Sequence, residues 1–377
     1  MEYNKKLQRT GFFAFFLSGI CAISSGVIVS LLQEKYGFSY GMTGTLLSFM
    51  SIGNMAASFA SGILPGKLGM KKTVCILCSG YGLGYLLMTV SGLPSLLILA
   101  FLMTGIAKGC ALNSCTVLVG NNSIDRTKGM SLMHACYAFG ALLCPFIISF
   151  MAGINLNYPT ITIALTGVVL WIVFAQAQLP TAVNGKEKNK TDFSFLKDKK
   201  FWCITGLLFC QNAAETSVTG WLVTYYKNEQ ILSGTFSTYT VTIMWGATLI
   251  ARLLIAFVFP VKNTFKSLTV MGLGCSVLYG ILIFMDRPVW AVVMLFAFAF
   301  AMAGVNPVAV AGVGKMMNAT SMGVMLPIAG IGAIAMPWLI GIVADKASLQ
   351  AGMFCNLVPC IGIMFFAMII NVKYNKK

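Results

Sequence analysis

Long apolar stretches separated by short polar breaks make up most of the chain. A helix needs about 20 residues to cross the roughly 30 Å hydrocarbon core of a bilayer. On that scale the pattern predicts twelve transmembrane helices, at approximately residues 11–33, 41–64, 73–92, 95–120, 129–153, 158–178, 201–226, 235–259, 266–285, 288–315, 320–343 and 349–372. Turn-forming residues mark several breaks, among them Gly37, Pro94 and Pro288. We therefore expect an all-α integral membrane protein.

The composition agrees with this class. Hydrophobic residues make up 58% of the 377 positions and charged residues only 10%. A soluble domain carries roughly 25% charged residues, so this chain could not cover a surface that faces water. The sequence shows no Ser–His–Asp set, metal-ligand cluster or phosphate-binding loop. We therefore expect neither an enzyme nor an ATP-driven pump, and neither a cofactor nor a metal.

The basic residues indicate the orientation of the chain. The formal net charge is +16, and with a cytosolic N-terminus most of the 26 Lys and Arg residues fall on the cytosolic side. The cations on the other side are Lys35, Lys227, Arg287 and Lys346. This is the positive-inside bias of a cell-membrane protein with both termini in the cytosol. The basic excess therefore predicts a lipid bilayer, and not nucleic acid, as the partner.

The longest polar interruption divides the chain into two halves. Residues 181–200 read TAVNGKEKNKTDFSFLKDKK, are rich in lysine and follow six predicted spans. We expect residues 1–180 and 201–377 to form two six-helix bundles, joined by a cytosolic linker at 181–200. Paired bundles of this kind commonly rock about a site near the bilayer midplane.

The loop after the second predicted span carries a recognisable pattern. Residues 62–72 read GILPGKLGMKK and resemble the G-x-L-a-D-R-x-G-r-k signature of the major facilitator superfamily. The matching positions are Gly62, Leu64, Lys67, Gly69 and Lys71. The resemblance implies the twelve-helix fold of that superfamily, transport by alternating access and a conformational role for these loop residues. In the family the signature aspartate pairs with a neighbouring helix and so stabilises one conformation. Gly66 replaces that aspartate here, so the interaction lacks its acid.

Other segments resemble the fucose/galactose permease-like branch of the superfamily. They surround Tyr137 in the fifth span, Glu215 and Trp221 in the seventh, and Arg252 in the eighth. The fourth span departs from that branch, because it reads GIAKGCALN, with Lys108 and no glutamate. The seventh span therefore favours a sugar as the substrate, whereas the fourth span does not.

Glu215 is the residue that the apolar pattern explains least. It lies roughly 21 Å into the seventh span, and Gln211 and Asn212 precede it by about one helical turn on the same side. Two interpretations stay open: a carboxylate held in a salt bridge between helices, or one that lines a cavity and binds substrate, a proton or both. Burial disfavours the charged form of a carboxyl group, so we expect Glu215 to take up protons.

Two cations also lie in the interior of predicted spans, away from the span ends, where each costs a few kcal/mol unless it meets a partner or water. The family resemblance places Lys108 on a cavity-lining helix opposite Glu215. Lys108 would form an ion pair between the halves, bind an anionic group of the substrate, or extend along the lipid. Arg252 would pair with a carbonyl or with Glu215, or clamp a carboxylate or phosphate with its planar guanidinium group.

Further polar residues complete the predicted site. His134, the one histidine, is either a packing residue or a second proton carrier. Pro307 interrupts the tenth span directly after Asn306, and broken helices often border transport sites. The residues that could hydrogen-bond or stack on a small polar solute are Asn113, Asn306, Tyr137 and Trp221, although tryptophan also anchors helices at membrane interfaces.

The sequence predicts a monomeric secondary transporter, coupled to protons, for a small hydrophilic solute that is either a sugar or an organic anion such as a sugar acid. Three alternatives stay open: an organic-anion exchanger without proton coupling, an exporter of amphipathic compounds, and a solute sensor on a transporter scaffold. The predicted substrate-binding residues are Lys108, Asn113, Tyr137, Gln211, Asn212, Glu215, Trp221, Arg252 and Asn306, with Glu215 and His134 as candidate proton carriers.

Overall fold

Helices account for almost all of the chain that the structure describes. The computed structural model describes residues 4–124, 126–179, 194–259, 261–313 and 319–374. The helices are α1 (Lys5–Tyr36), α2 (Tyr40–Leu68), α3 (Met70–Val90), α4 (Pro94–Asn121), α5 (Arg126–Ala152), α6 (Tyr158–Gln176), α7 (Lys199–Asn228), α8 (Gly234–Phe257), α9 (Thr264–Leu282), α10 (Pro288–Met302), α11 (Val305–Val313), α12 (Ala319–Lys346), α13 (Leu349–Cys355) and α14 (Leu357–Tyr374). Of the predicted linker, residues 181–193 lie outside the described part, and Ser194–Lys197 form a short 3₁₀ helix.

These helices confirm an all-α, multi-pass membrane protein. Ten helical stretches within the described residues are long and apolar enough to cross a bilayer, and two of them are composite, α10 with α11 and α13 with α14. The 29 residues of α2 and the 30 of α7 are also long enough. The middle of α7 is less apolar because it carries Gln211, Asn212 and Glu215. The count of twelve spans in two bundles stays a prediction.

The chain divides into two compact units, and α1 is the central helix of the first. This unit comprises residues 1–38 and 45–186. α1 packs against α4, α5 and α6. Buried hydroxyl groups join it to α3, since Ser18 Oγ lies 3.0 Å from Tyr81 Oη and Ser24 Oγ donates to Tyr85 Oη at 2.6 Å. These bonds offset the cost of burying polar groups among apolar side chains.

Within the first unit, α2 and α4 approach closely because α4 presents glycines to α2. A Cβ atom at Gly105 would meet the carbonyl of Met50, and one at Gly109 would meet the carbonyl of Asn54. The two glycines are one turn apart, the spacing that lets membrane helices pack backbone to backbone. This packing fixes the position of α4, the helix that carries Lys108.

The second unit is built around α7. It comprises residues 39–44 and 187–377, and α7 packs against α8, α11, α12 and α14. Two membrane-crossing stretches are interrupted here, at residues 303–304 between α10 and α11 and at Asn356 between α13 and α14. Each interruption comes shortly before a proline, Pro307 or Pro359, which lacks the N–H that a continuous helix needs.

Asp345, near the end of α12, caps the start of α2 within the second unit. Its Oδ1 accepts from the N–H of Tyr40 at 2.7 Å, and its Oδ2 accepts from the N–H of Gly41 at 2.6 Å. A carboxylate in this position satisfies two open N–H groups of the helix and meets the positive end of its dipole. Asn228, the last residue of α7, donates its Nδ2 to Tyr40 Oη at 3.1 Å. Residues 39–44 are thus bound to both α7 and α12.

Candidate functional site

The polar residues in the middle of α7 form a hydrogen-bonded chain with α11. Gln211 donates its Nε2 to Glu215 Oε2, and Asn306 donates its Nδ2 to Gln211 Oε1 at 3.0 Å. Gln211 is 1% exposed, whereas Glu215 and Asn306 are half-buried. Both ends of the Gln211 amide are therefore engaged, and this residue fixes the Glu215 carboxylate relative to α11.

The interruption before Asn306 is stabilised by Arg252. Pro307 has no N–H, so it cannot donate to the carbonyl of Ala303 four residues earlier. Arg252 on α8 supplies a donor instead, with Nε 3.3 Å from the Ala303 oxygen. The guanidinium group lies at the C-terminal end of α10, where the helix dipole favours a positive charge. Arg252 thereby supports the helix start that positions Asn306.

The other predicted residues of the second unit also lie on α7. Asn212 is half-buried. Trp221 is fully buried and donates its Nε1 to the carbonyl of Pro337 at 3.1 Å. Its ring centroid lies 6.2 Å from that of Tyr40. In this structure Trp221 joins α7 to α12 and to the first residue of α2.

In the first unit, His134 and Tyr137 both pack on Phe15 of α1. The ring of Tyr137 lies 4.8 Å from that of Phe15, and the ring of His134 meets Phe15 edge-on at 5.6 Å. Phe15 is 1% exposed, so these contacts are part of the packing of α5 on α1. The proposed proton-carrying role of His134 stays a prediction.

Lys108 and Asn113 lie on α4 of the first unit. Lys108 is half-buried, and Asn113 donates its Nδ2 to the carbonyl of Ser58 on α2 at 3.0 Å. Lys108 and Glu215 belong to different units. Their expected pairing across the two halves stays a prediction.

Asn356, which the sequence pattern did not single out, contacts the residue before Glu215. It is fully buried at the interruption between α13 and α14, and its Nδ2 lies 3.4 Å from the carbonyl of Ala214. Pro359 was a signal for this interruption, since prolines accompany breaks in membrane helices. The polar side chain of an asparagine inside an apolar span also needs a hydrogen-bonding partner. Glu215 stood out in the sequence for the same physical reason.

Comparison with known proteins assigns the chain to one family. A family model described as the Major Facilitator Superfamily matches residues 11–325. The chain belongs to the major facilitator superfamily. An uncharacterized MFS-type transporter of Yersinia pestis is 23% identical over 355 residues, which covers 91% of this chain and 90% of that protein. The gallate transporter of Pseudomonas putida is 28% identical over 124 residues, covering 32% of this chain and 28% of that protein.

The superfamily fold recurs in a crystal structure of the nucleoside transporter NupG. The two structures have a TM-score of 0.75 with 16% sequence identity, covering 98% of this chain and 100% of NupG. At this level of identity the likeness concerns the fold alone. The relatives are membrane transporters and not enzymes. The finer resemblance to the fucose/galactose permease-like branch is not specifically supported.

The loop that resembles the superfamily signature lies where α2 meets α3. Gly62 and Lys67 lie in the last turns of α2, and Lys71 lies in the first turn of α3. Gly69 joins the two helices with a φ of 81°, a conformation that a residue with a side chain rarely adopts. Its carbonyl accepts from the N–H of Thr73 at 3.2 Å. The turn itself therefore requires glycine at this motif position.

A double-mutant cycle tests the role of Arg252. Arg252→Leu should lower the free energy of unfolding by about 1.5–3 kcal/mol, the range for a hydrogen bond from a charged donor. Pro307→Ala restores an N–H that can serve Ala303, so in this background the loss from Arg252→Leu should be less than half as large. Thermal unfolding in detergent measures the loss of stability in each background. Arg287→Leu, at an exposed position, is the control. Equal losses in the two backgrounds would show that Arg252 does not act through Ala303.

Proposed function

We propose that this superfamily member is a secondary transporter of the cell membrane that moves a small, hydroxyl-rich neutral solute such as a sugar together with protons. The observation that carries the proposal is the Asn306–Gln211–Glu215 chain. It positions one ionisable carboxyl group on a helix that is otherwise mostly apolar. Alternating access would expose that group to each side of the membrane in turn.

The hydrogen-bonding chemistry of this chain favours a solute rich in hydroxyl groups. An ionised carboxylate accepts hydrogen bonds and donates none. The Gln211 amide is engaged at both ends, and Arg252 bonds a backbone carbonyl. Glu215 therefore offers an acceptor, which suits hydroxyl donors and repels an anion. NupG, a nucleoside transporter with the same fold, also handles a solute that bears hydroxyl groups.

Glu215 would couple this solute to protons. A carboxylate is costly among apolar helices, and protonation removes that cost. Gln211 can donate to one carboxyl oxygen in either protonation state. The second oxygen would accept from a solute hydroxyl when ionised and donate to a solute oxygen when protonated. A proton that enters with the solute would thus neutralise the site while the carrier changes conformation, which is symport.

Glu215→Gln should abolish accumulation driven by a pH gradient in proteoliposomes, while binding and solute exchange stay measurable. Glutamine keeps the size of the side chain and, like the protonated carboxyl group, has one acceptor and one donor end, but it carries no titratable proton. Thermal-shift screening against sugars and organic acids at two pH values identifies the solute, because even weak ligands stabilise the folded protein at high concentration. Glu229→Gln is the matched control, since Glu229 is exposed at the end of the same helix. Accumulation by Glu215→Gln at the wild-type level would refute the coupling.

An organic anion is the second candidate, for two reasons. Lys108 is half-buried in a predicted span, where a cation can bind an acidic group. The relative from Pseudomonas putida is named as a gallate transporter, and gallate is a carboxylate.

Lys108→Gln separates the two candidates. The change should weaken the binding of an anionic solute by about tenfold or more, because it leaves a desolvated carboxylate without its cation. A neutral sugar should lose much less. Binding titrations with the solutes from the screen measure this, and Lys72→Gln, at an exposed position, is the control. Equal effects on both solute classes would remove the anion candidate.

A further inference from the structure

Asn54 is an asparagine in the middle of α2 whose side chain makes no hydrogen bond within the described part of the chain. It lies about 21 Å from the start of the helix. Its Oδ1 is buried and receives no donor, and its Nδ2 has no acceptor among the described residues. Buried polar groups of folded proteins are almost always paired. The fold of the first unit therefore leaves the hydrogen bonds of this amide unfilled.

The helix α4 offers Asn54 no polar partner, although the two helices touch at this point. A Cβ atom at Gly109 would meet the Asn54 carbonyl oxygen, so α4 presents a glycine to the backbone of Asn54. One turn further on, Asn113 of α4 donates its Nδ2 to the Ser58 carbonyl of α2 at 3.0 Å. Asn113 thus joins the two helices, whereas the side chain of Asn54 contributes no hydrogen bond to their packing.

The side chain of Asn54 points away from the lipid-exposed side of α2. Ala56 and Phe59 mark that side, since both are exposed. With roughly 100° of rotation per residue, Asn54 lies about 160° from Ala56 and about 140° from Phe59 around the helix axis. A polar side of a membrane helix that faces away from lipid meets protein or water. Asn54 is half-buried, so part of its amide is open on this side. Three half-buried serines share it and bond carbonyls of their own helix: Ser51, Ser58 and Ser61.

Lys108 of α4 lies at the same depth and also points away from lipid. The exposed residues Leu99 and Val117 mark the lipid side of α4. Lys108 lies midway between them along the chain, roughly two and a half turns from each, and therefore on the opposite side of the helix. Asn54 and Lys108 each lie about 21 Å from the start of their helices. The contact of Gly109 with Asn54 aligns the two helices at this depth.

We propose that Asn54 is a further solute-binding residue, whose amide hydrogen-bonds a hydroxyl group of the solute at the depth of Lys108. The inference rests on the proposed function, because it takes a hydroxyl-rich solute as the ligand. A hydroxyl group both donates and accepts, and the uncharged amide has a donor end and an acceptor end. The solute thereby pairs a polar group that the fold leaves unpaired.

Asn54 adds a selectivity that Lys108 alone does not give. An ammonium group only donates hydrogen bonds and, as a point charge, attracts any acceptor, above all an anion. The neutral amide at the same depth has no such preference for charge. A solute hydroxyl group that loses its amide partner loses one hydrogen bond, so Asn54 favours solutes that carry this hydroxyl group over those that lack it.

Cysteine substitution tests whether Asn54 faces an aqueous space. In proteoliposomes Asn54→Cys should react with a small, charged methanethiosulfonate reagent, and the solute found by thermal-shift screening should slow the reaction severalfold. Phe59→Cys, on the lipid-exposed side of the same helix, should not react, because the charged reagent does not enter lipid. Mass spectrometry of the modified peptide separates residue 54 from the native cysteines. No reaction at Asn54→Cys, or equal reaction at both positions, would overturn the proposal.

Binding and stability together separate a solute contact from a packing role. Asn54→Leu should weaken binding of the screened solute about threefold to tenfold, the size of one neutral hydrogen bond. Its Tm should stay the same or rise, because the change removes an unpaired polar group. Asn113→Leu breaks the bond to Ser58 and should lower the Tm. Undiminished affinity in Asn54→Leu, or a fall in its Tm as large as that of Asn113→Leu, would contradict the solute contact.

Solute analogues identify the bonded group. Among analogues that each lack one hydroxyl group, one should bind the wild-type protein more weakly and bind Asn54→Leu with no further loss. If every analogue loses affinity equally in both proteins, Asn54 bonds no hydroxyl group.

Failure of the proposed function is a separate outcome. Wild-type accumulation in Glu215→Gln would refute proton coupling, and the results at Asn54 would still stand. If the screen yields an organic acid, the neutral-solute proposal fails. The same titration of that acid with Asn54→Leu then decides whether Asn54 binds the solute.

Discussion

Inserting a charged side chain in the middle of a membrane helix costs about 2.5–3.5 kcal/mol of free energy. The polar contacts of the second unit lower this cost for Glu215. Gln211 holds the Glu215 carboxylate from one turn away, and Asn306 holds Gln211 from α11. Asn306 is in position because the helix before it is interrupted and Arg252 occupies the carbonyl that the interruption exposes. The position of the Glu215 carboxylate therefore depends on residues of three helices, α7, α8 and α11. Their polar contacts satisfy the hydrogen bonds of the carboxylate and of the groups that hold it.

Prolines produce the two helix interruptions in this unit by the same physical step, the removal of one backbone donor. The consequences differ because the surroundings differ. At Pro307 the exposed carbonyl meets a cation from α8, which also suits the dipole of the helix that ends there. At Pro359 the interruption places the buried side chain of Asn356 against α7, where its Nδ2 lies 3.4 Å from the Ala214 carbonyl. Both interruptions lie beside residues 211–215 of α7, so the fold concentrates its irregular backbone where the carboxyl group is.

Local pattern predicted the features that arise within one helix. Apolar runs predicted the helices, the i,i+4 spacing made Gln211 and Glu215 neighbours, and Pro307 marked the interruption near Asn306. Contacts between distant segments were beyond such reasoning. Asp345 caps Tyr40 across a separation of 305 residues, and the partner of Arg252 was left open between a carbonyl, Glu215 and a ligand. Asn356 was overlooked because nothing in its neighbourhood along the chain reveals that α7 and α9 meet it, and whether the candidate residues of the two halves act together stays a prediction for the same reason.

In the proposed transport cycle the solute and a proton occupy the Glu215 site together. The most direct test follows the pH of a weakly buffered sample of purified protein when a solute from the binding screen is added. The wild-type protein should take up protons, at most about one per molecule for a single carboxyl group, and Glu215→Gln should take up none while still binding the solute. Proton release on binding, or uptake that persists in Glu215→Gln, would contradict the account.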